Sequence, residues 1–161
     1  MRYRRVRGAK GRVNAHEIRD WVGWLLEDGE GCCHKGVAYT ENNEVCICVG
    51  WRDDGDKWCV YGKVGFQSND NAMQTDLDSD FQMPWNTEAY CDKLNAQLTE
   101  DERRRGDRYV AGDVYDTSVY ICAENDQVPS LRDCKRIADE LNSCVTVATR
   151  MVCEMEATGD A

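Results

Sequence analysis

Acidic and amide residues occupy every even position of residues 73–83, and the odd positions hold apolar residues with two small hydroxyl residues among them. Met73, Thr75, Leu77, Ser79, Phe81 and Met83 stand between Gln74, Asp76, Asp78, Asp80 and Gln82. Side chains on a strand point alternately to its two faces, so this stretch predicts a half-buried β-strand. Leu77, Phe81 and the two methionines would face a core, and Asp76, Asp78 and Asp80 would form a row toward water. At the rise of an extended chain these carboxylates stand ~6.7 Å apart. That is close to the spacing of phosphates along one nucleic-acid strand, a backbone with one charge per residue.

Three further strands precede this one. Val37–Thr40 leads through the turn cluster 41–44 into Val45–Trp51. The latter is apolar on both faces, with Val45, Ile47, Val49 and Trp51 on one and Cys46 and Cys48 on the other, which predicts a central strand covered on both sides. Asp53, Asp54, Gly55 and Asp56 then turn the chain, and Lys57–Phe66 returns. Asn69, Asp70 and Asn71 supply the next turn, completing an antiparallel meander over 37–83.

Helical spacing governs the remainder. An edge strand over 2–7 ends at Gly8 and Gly11, and Asn14 with Glu17 forms a capping box. Ile18, Trp21, Val22, Leu25 and Leu26 follow on one helical stripe, which Gly29 and Gly31 stop, with Trp24 off the stripe. After Pro84 and Trp85, Asn86 or Thr87 caps a second helix through Tyr90, Cys91, Leu94 and Leu98. Residues 99–107 are densely charged and read as a helix end or loop. Residues 109–122 read as one strand or a pair broken at Gly112 and Asp113. Ser130 and Asp133 open a last helix of about 26 residues. Cys134, Ile137, Ala138, Leu141, Cys144, Val145, Ala148, Met151, Val152 and Met155 form a stripe wide enough to lie on a core. At ~39 Å such a helix can cross a sheet and overhang it. The fold class is therefore α+β: one domain over 1–161, with a central antiparallel sheet packed by two or three helices.

Charge changes this picture in one respect. The net charge is −10, yet residues 1–12 carry six basic residues and no acid, leaving −16 for the rest. So acidic a body repels nucleic acid, membranes and acidic substrates and attracts basic surfaces. The basic start reads as a strand paired with the protein's own acids, or as an arm. No apolar run of signal-peptide or membrane-spanning length is present, so the ten cysteines are expected to be reduced, buried and small, in the cytoplasm of a bacterial host.

Motifs for catalysis are missing. The Asp76, Asp78, Asp80 triplet fails as an EF-hand, because its sixth and twelfth positions hold Phe81 and Thr87. Cys32, Cys33, His34, Cys46 and Cys48 lack the spacing of structural zinc pairs. Only His16 and His34 are available as imidazoles, and no nucleophile or phosphate-loop motif occurs. The sequence thus predicts no enzyme, no cofactor, no metal ligand and no catalytic residue.

The candidate contact residues are the acids: Asp76, Asp78 and Asp80, the hairpin group Asp53, Asp54 and Asp56, and Glu27 and Asp28 at a helix end. In size, charge and carboxylate row the chain resembles the small acidic anti-defence proteins of phages and mobile elements, of the anti-CRISPR and anti-restriction kind. The resemblance implies an inhibitor that occupies the positively charged nucleic-acid surface of a CRISPR effector or restriction nuclease. The other expectation is a structural module assembled as a homodimer through the C-terminal helix. No membrane partner is expected.

Overall fold

Pairing along the sheet follows the order of strands in the chain. The computed structural model describes residues 3–6, 12–28, 31–53, 58–69, 81–112, 118–123 and 127–157. Strands β1 (Tyr3–Val6), β2 (Cys32–Tyr39), β3 (Asn43–Asp53), β4 (Trp58–Ser68) and β5 (Val119–Ala123) form one sheet in that order. β1 runs parallel to β2, and the other neighbours are antiparallel. β3 pairs with β4 over its whole length, from Asn43 opposite Ser68 to Asp53 opposite Trp58. A bulge between Gly36 and Ala38 shifts the β2–β3 register.

Helices α1 (Ala15–Asp28) and α4 (Leu131–Ala157) lie on one face, over Cys33, Val37, Val45, Ile47, Val49, Val60 and Val64. The predicted stripe of α4 is the observed one: nine of its ten positions are buried and Cys144 is half-buried. These positions run from Cys134 to Met155, so α4 rests on the core along nearly all of its ~40 Å, without the predicted overhang. Gly62 of β4 lets the helix approach: a Cβ there would stand 2.9 Å from a methyl of Leu141. The helix α2 (Glu88–Ala96) is capped by Thr87, whose Oγ1 accepts from the Tyr90 amide, and Lys93 pairs with Glu154 near the end of α4.

Polar contacts fix α1. Asn14 and Glu17 form the predicted capping box, with each backbone amide donating to the other's side chain. Glu17 also accepts from the buried Lys35 of β2, at 2.9 and 3.1 Å, while the same ammonium donates to the Arg12 carbonyl at 2.8 Å. A lysine buried on the helix-facing side of a sheet is tolerated because its donors are occupied by a carboxylate and a carbonyl. Asn142 of α4 clamps the chain before α1, donating to the Val13 carbonyl and accepting from its amide, both at 2.9 Å.

Several expectations meet a different outcome. Residues 73–80 of the predicted aspartate strand lie outside the described residues. Of its end, Gln82 makes an antiparallel bridge to Phe66 on the edge of β4 that β5 leaves open. Phe81 and Met83, expected on one face, join different clusters: Phe81 packs on Cys32 and Cys48, and Met83 on the main core. The chain turns inward there, into a 3₁₀ turn at Pro84–Asn86 that buries Trp85. Within 99–107 stands a short helix, α3 (Glu100–Arg104), held by a full Thr99–Glu102 capping box. Residues 109–112 form no strand, because Asn95 and Asn86 take up the backbone groups of Tyr109 and Gly112. Trp24 is half-buried and packs on the core.

The last turn of α4 carries acids where the helix dipole favours bases. Glu156 is compensated by the turn between β2 and β3. Thr40 Oγ1 and Asn43 Nδ2 donate to its carboxylate, as do the amides of Glu41 and Asn42. Burial alone would raise this carboxyl, but the four donors outweigh it and hold the group below the ordinary glutamate range. A carboxyl with a lowered native pKa stabilises the fold above its unfolded pKa, and that contribution disappears as pH falls through the native value. Glu156→Gln should therefore flatten the acid limb of a plot of denaturation midpoint against pH, and an unaltered limb would assign the acid sensitivity to other groups.

Candidate functional site

The elements that carry two of the predicted acidic groups, α1 and β3, finish toward the same end of the sheet. Glu27 is exposed in the last turn of α1, and Asp28 is the final residue of that helix. The chain then returns through Gly31, whose carbonyl oxygen lies 3.7 Å from the place a Cβ on Gly50 would occupy. Asp53 ends β3 a few residues farther on, opposite Trp58. Ala123, the last residue of β5, stands opposite Cys59 at the same end and is followed in sequence by Glu124 and Asp126. Asp54 and Asp56 lie outside the described residues, as do the side chains of Asp28 and Asp53.

Asp76, Asp78 and Asp80 also lie outside the described residues, but the residues that flank them are placed. The Asn69 amide donates to Asn42 O at 3.0 Å, and Gln82 is bridged to Phe66. Both belong to the opposite end of the sheet, and Phe66 is ~26 Å along β4 from Trp58. The described flanks of the predicted aspartate row thus lie toward the other end of the sheet from the ends of α1 and β3.

Aromatic residues accompany the first group. The Arg52 guanidinium stands 5.3 Å from the centroid of the Tyr61 ring, a cation–π distance. Tyr61 in turn meets Tyr120 edge to face, with centroids 5.5 Å apart. Tyr120 and Trp58 are each about half exposed. Exposed tyrosine, tryptophan and arginine next to charge are the residue types that dominate contact energies at protein interfaces. This strip was not read from sequence because it depends on β5 pairing with β4, which places Tyr61 opposite Tyr120.

The sheet face turned away from α1 and α4 holds a second polar group. Cys33 points to the helices, so Cys32 and His34 point the other way, together with Glu44, Cys46 and Cys48 of β3. His34, Glu44 and Cys46 are fully buried. One ligand-type atom from each lies within 4.8 Å of the others. Gly36, paired with Cys46, makes the room: a Cβ there would fall 1.9 Å from Glu44 Oε1. The bulge after Gly36 sets Tyr39 opposite Glu44, and the Tyr39 hydroxyl donates to Oε1 at 3.3 Å. The Cys46 thiol donates to the Glu44 carbonyl at 3.7 Å, and the Phe81 ring stands edge-on to His34 at 6.5 Å. Among the described residues these are the side chains suited to holding a metal ion. Spacing along the chain concealed them, because register across the hairpin is what joins position 34 to positions 44 and 46.

Eight of the ten cysteines are buried, Cys144 is half-buried and Cys153 is exposed. Burial raises the Cys134 thiol pKa against the opposing Arg19 charge, and it raises Cys144 with help from Glu140. A raised thiol pKa suits a packing residue rather than a nucleophile.

No protein-family model matches the sequence, and no characterised protein or solved structure matches the chain. Among the described residues no helix is long and apolar enough to cross a membrane.

Gly36→Ala should lower stability by about 1–3 kcal/mol, because the new methyl overlaps a carboxylate with no solvent to retreat into. In chemical denaturation, Glu44→Ala in the same chain should restore part of that loss, giving a non-zero coupling between the two positions. Strictly additive effects would place the Glu44 side chain elsewhere.

Proposed function

We propose that the protein is an acidic binding protein that occupies the positively charged nucleic-acid surface of a nuclease or another defence enzyme, in the manner of anti-CRISPR and anti-restriction inhibitors. It acts by competition in the cytoplasm of a bacterial host, and it catalyses nothing. Carboxylates engage the lysines and arginines that otherwise hold phosphates, and a partner in that state cannot load its nucleic acid.

The observation behind this reading is where along the sequence the acids fall. Residues 54–57, 70–80, 113–117 and 124–126 contain ten acids and a single base, Lys57. Each of these connections is tethered to the sheet or to the turns beside it. A framework that fixes where acidic connections leave and return lowers the entropy lost when they meet a partner. The strip of Arg52, Tyr61 and Tyr120 beside one group offers apolar contact, which charge alone does not supply. The alternative of an assembly module joined through α4 has less to draw on. The apolar stripe of that helix is spent on the chain's own core, leaving only Leu131 and Val147 of its larger apolar residues exposed.

The test is inhibition of nucleic-acid binding by a panel of purified CRISPR effectors and restriction nucleases. Inhibition by the native chain should weaken steeply between low and physiological ionic strength. Replacing Asp53, Asp54 and Asp56 with Asn and Glu27 with Gln, or Asp76, Asp78 and Asp80 with Asn, should weaken it about tenfold or more while leaving the denaturation midpoint nearly unchanged. Inhibition that survives both sets of changes would remove charge imitation as the mechanism.

A further inference from the structure

We propose that His34, Glu44 and Cys46 form a buried zinc-type metal centre, a property independent of the acidic surface. The three side chains supply an imidazole nitrogen, a carboxylate oxygen and a thiol sulfur, all from β2 and β3 and all on one face. Zinc takes this mixed set of donors at ~2.0–2.3 Å in tetrahedral sites. Ligand atoms within 4.8 Å of one another need only small side-chain rotations to close on one ion.

Three features of the sheet fit the assignment. The first is burial, since His34, Glu44 and Cys46 each expose none of their surface. A divalent cation bound there would be shielded from water, and with one carboxylate and one thiolate it forms a neutral cluster. The second is Gly36, the residue paired with Cys46, where any side chain would displace the Glu44 carboxylate. The third is Tyr39, whose hydroxyl donates to Glu44 Oε1 and so orients a ligand from outside the site, as partners of metal-bound carboxylates do.

The donors also select the metal. Magnesium and calcium favour oxygen-only sites, whereas thiolate with imidazole favours zinc and the related first-row ions. Three protein ligands leave one coordination position for water or a further group. Binding releases the Cys46 thiol proton to solvent.

The experiment uses the full chain carrying Cys153→Ser, which removes the exposed thiol. Metal analysis of the protein as purified should find about one equivalent of zinc. After treatment with chelator, added Co²⁺ should produce near-ultraviolet thiolate-to-cobalt absorption and raise the thermal midpoint. Cys46→Ser should abolish that absorption, and His34→Ala should weaken Co²⁺ binding at least tenfold. Tyr39→Phe, a change at an exposed residue, should weaken binding by about tenfold or more while leaving the absorption in place. Protein that holds no stoichiometric metal and shows no thiolate absorption with Co²⁺ would overturn the assignment, whatever the variants do. Unchanged absorption in Cys46→Ser would overturn it equally. Inhibition assays play no part in either readout, so this centre and the proposed binding function stand or fall separately.

Discussion

A sheet buried on both faces, with α1 and α4 on only one of them, is the constraint on which this structure turns. The helix side is solved in the ordinary way. β3 offers Val45, Ile47 and Val49, α4 offers a stripe of matching width, and Gly62 lets the two surfaces close. Each buried aliphatic side chain on that side contributes about 1.5–3 kcal/mol. Among the described residues the other face has less apolar material. Cys32, Cys48 and Phe81 form a small cluster there, and buried polar groups occupy much of what remains.

On the helix side, polar contacts do much of the positioning. Lys35 joins β2 to the first turn of α1 through Glu17, and Glu17 is also half of that helix's capping box. One carboxylate thus caps the start of a helix and neutralises a sheet lysine. Glu156 does comparable work where α4 ends over the β2–β3 turn. These contacts specify which helix end meets which strand. Apolar packing alone would leave that choice open, because one stripe of leucine and valine fits another in several registers.

Much of the α+β architecture was legible in the sequence because its signals are local. The α4 stripe has the period of a helix over three heptads. The Asn14–Glu17 and Thr87 caps stand next to the residues they serve. β3 declares its burial by being apolar at successive positions. The parallel pairing of β1 with β2 was not legible, since partner choice depends on a crossover through α1. The Thr99–Glu102 box of α3 was present as a signal but was outweighed by the charge around it. The cluster of His34, Glu44 and Cys46 needed the hairpin register and its bulge, neither of which spacing along the chain reveals. For the acids, identity was legible, and the structure adds where the elements beside them finish: Glu27 and Asp53 lie toward one end of the sheet, and the described flanks of 76–80 toward the other.

The parallel edge has a kinetic meaning. Tyr39 and Glu44 pair across five residues of chain, whereas Tyr3 must find Cys32 across twenty-nine. Closing the longer loop costs about 1.5 kcal/mol more in chain entropy. It also requires α1 to be in place first, because the crossover runs through that helix. The hairpins therefore assemble early and the arginine-bearing strand joins late, paired among the described residues with β2 alone, through four residue pairs. In the folded protein the same ordering makes this strand the first segment to detach, exposing the backbone of β2 while the rest of the sheet stays closed.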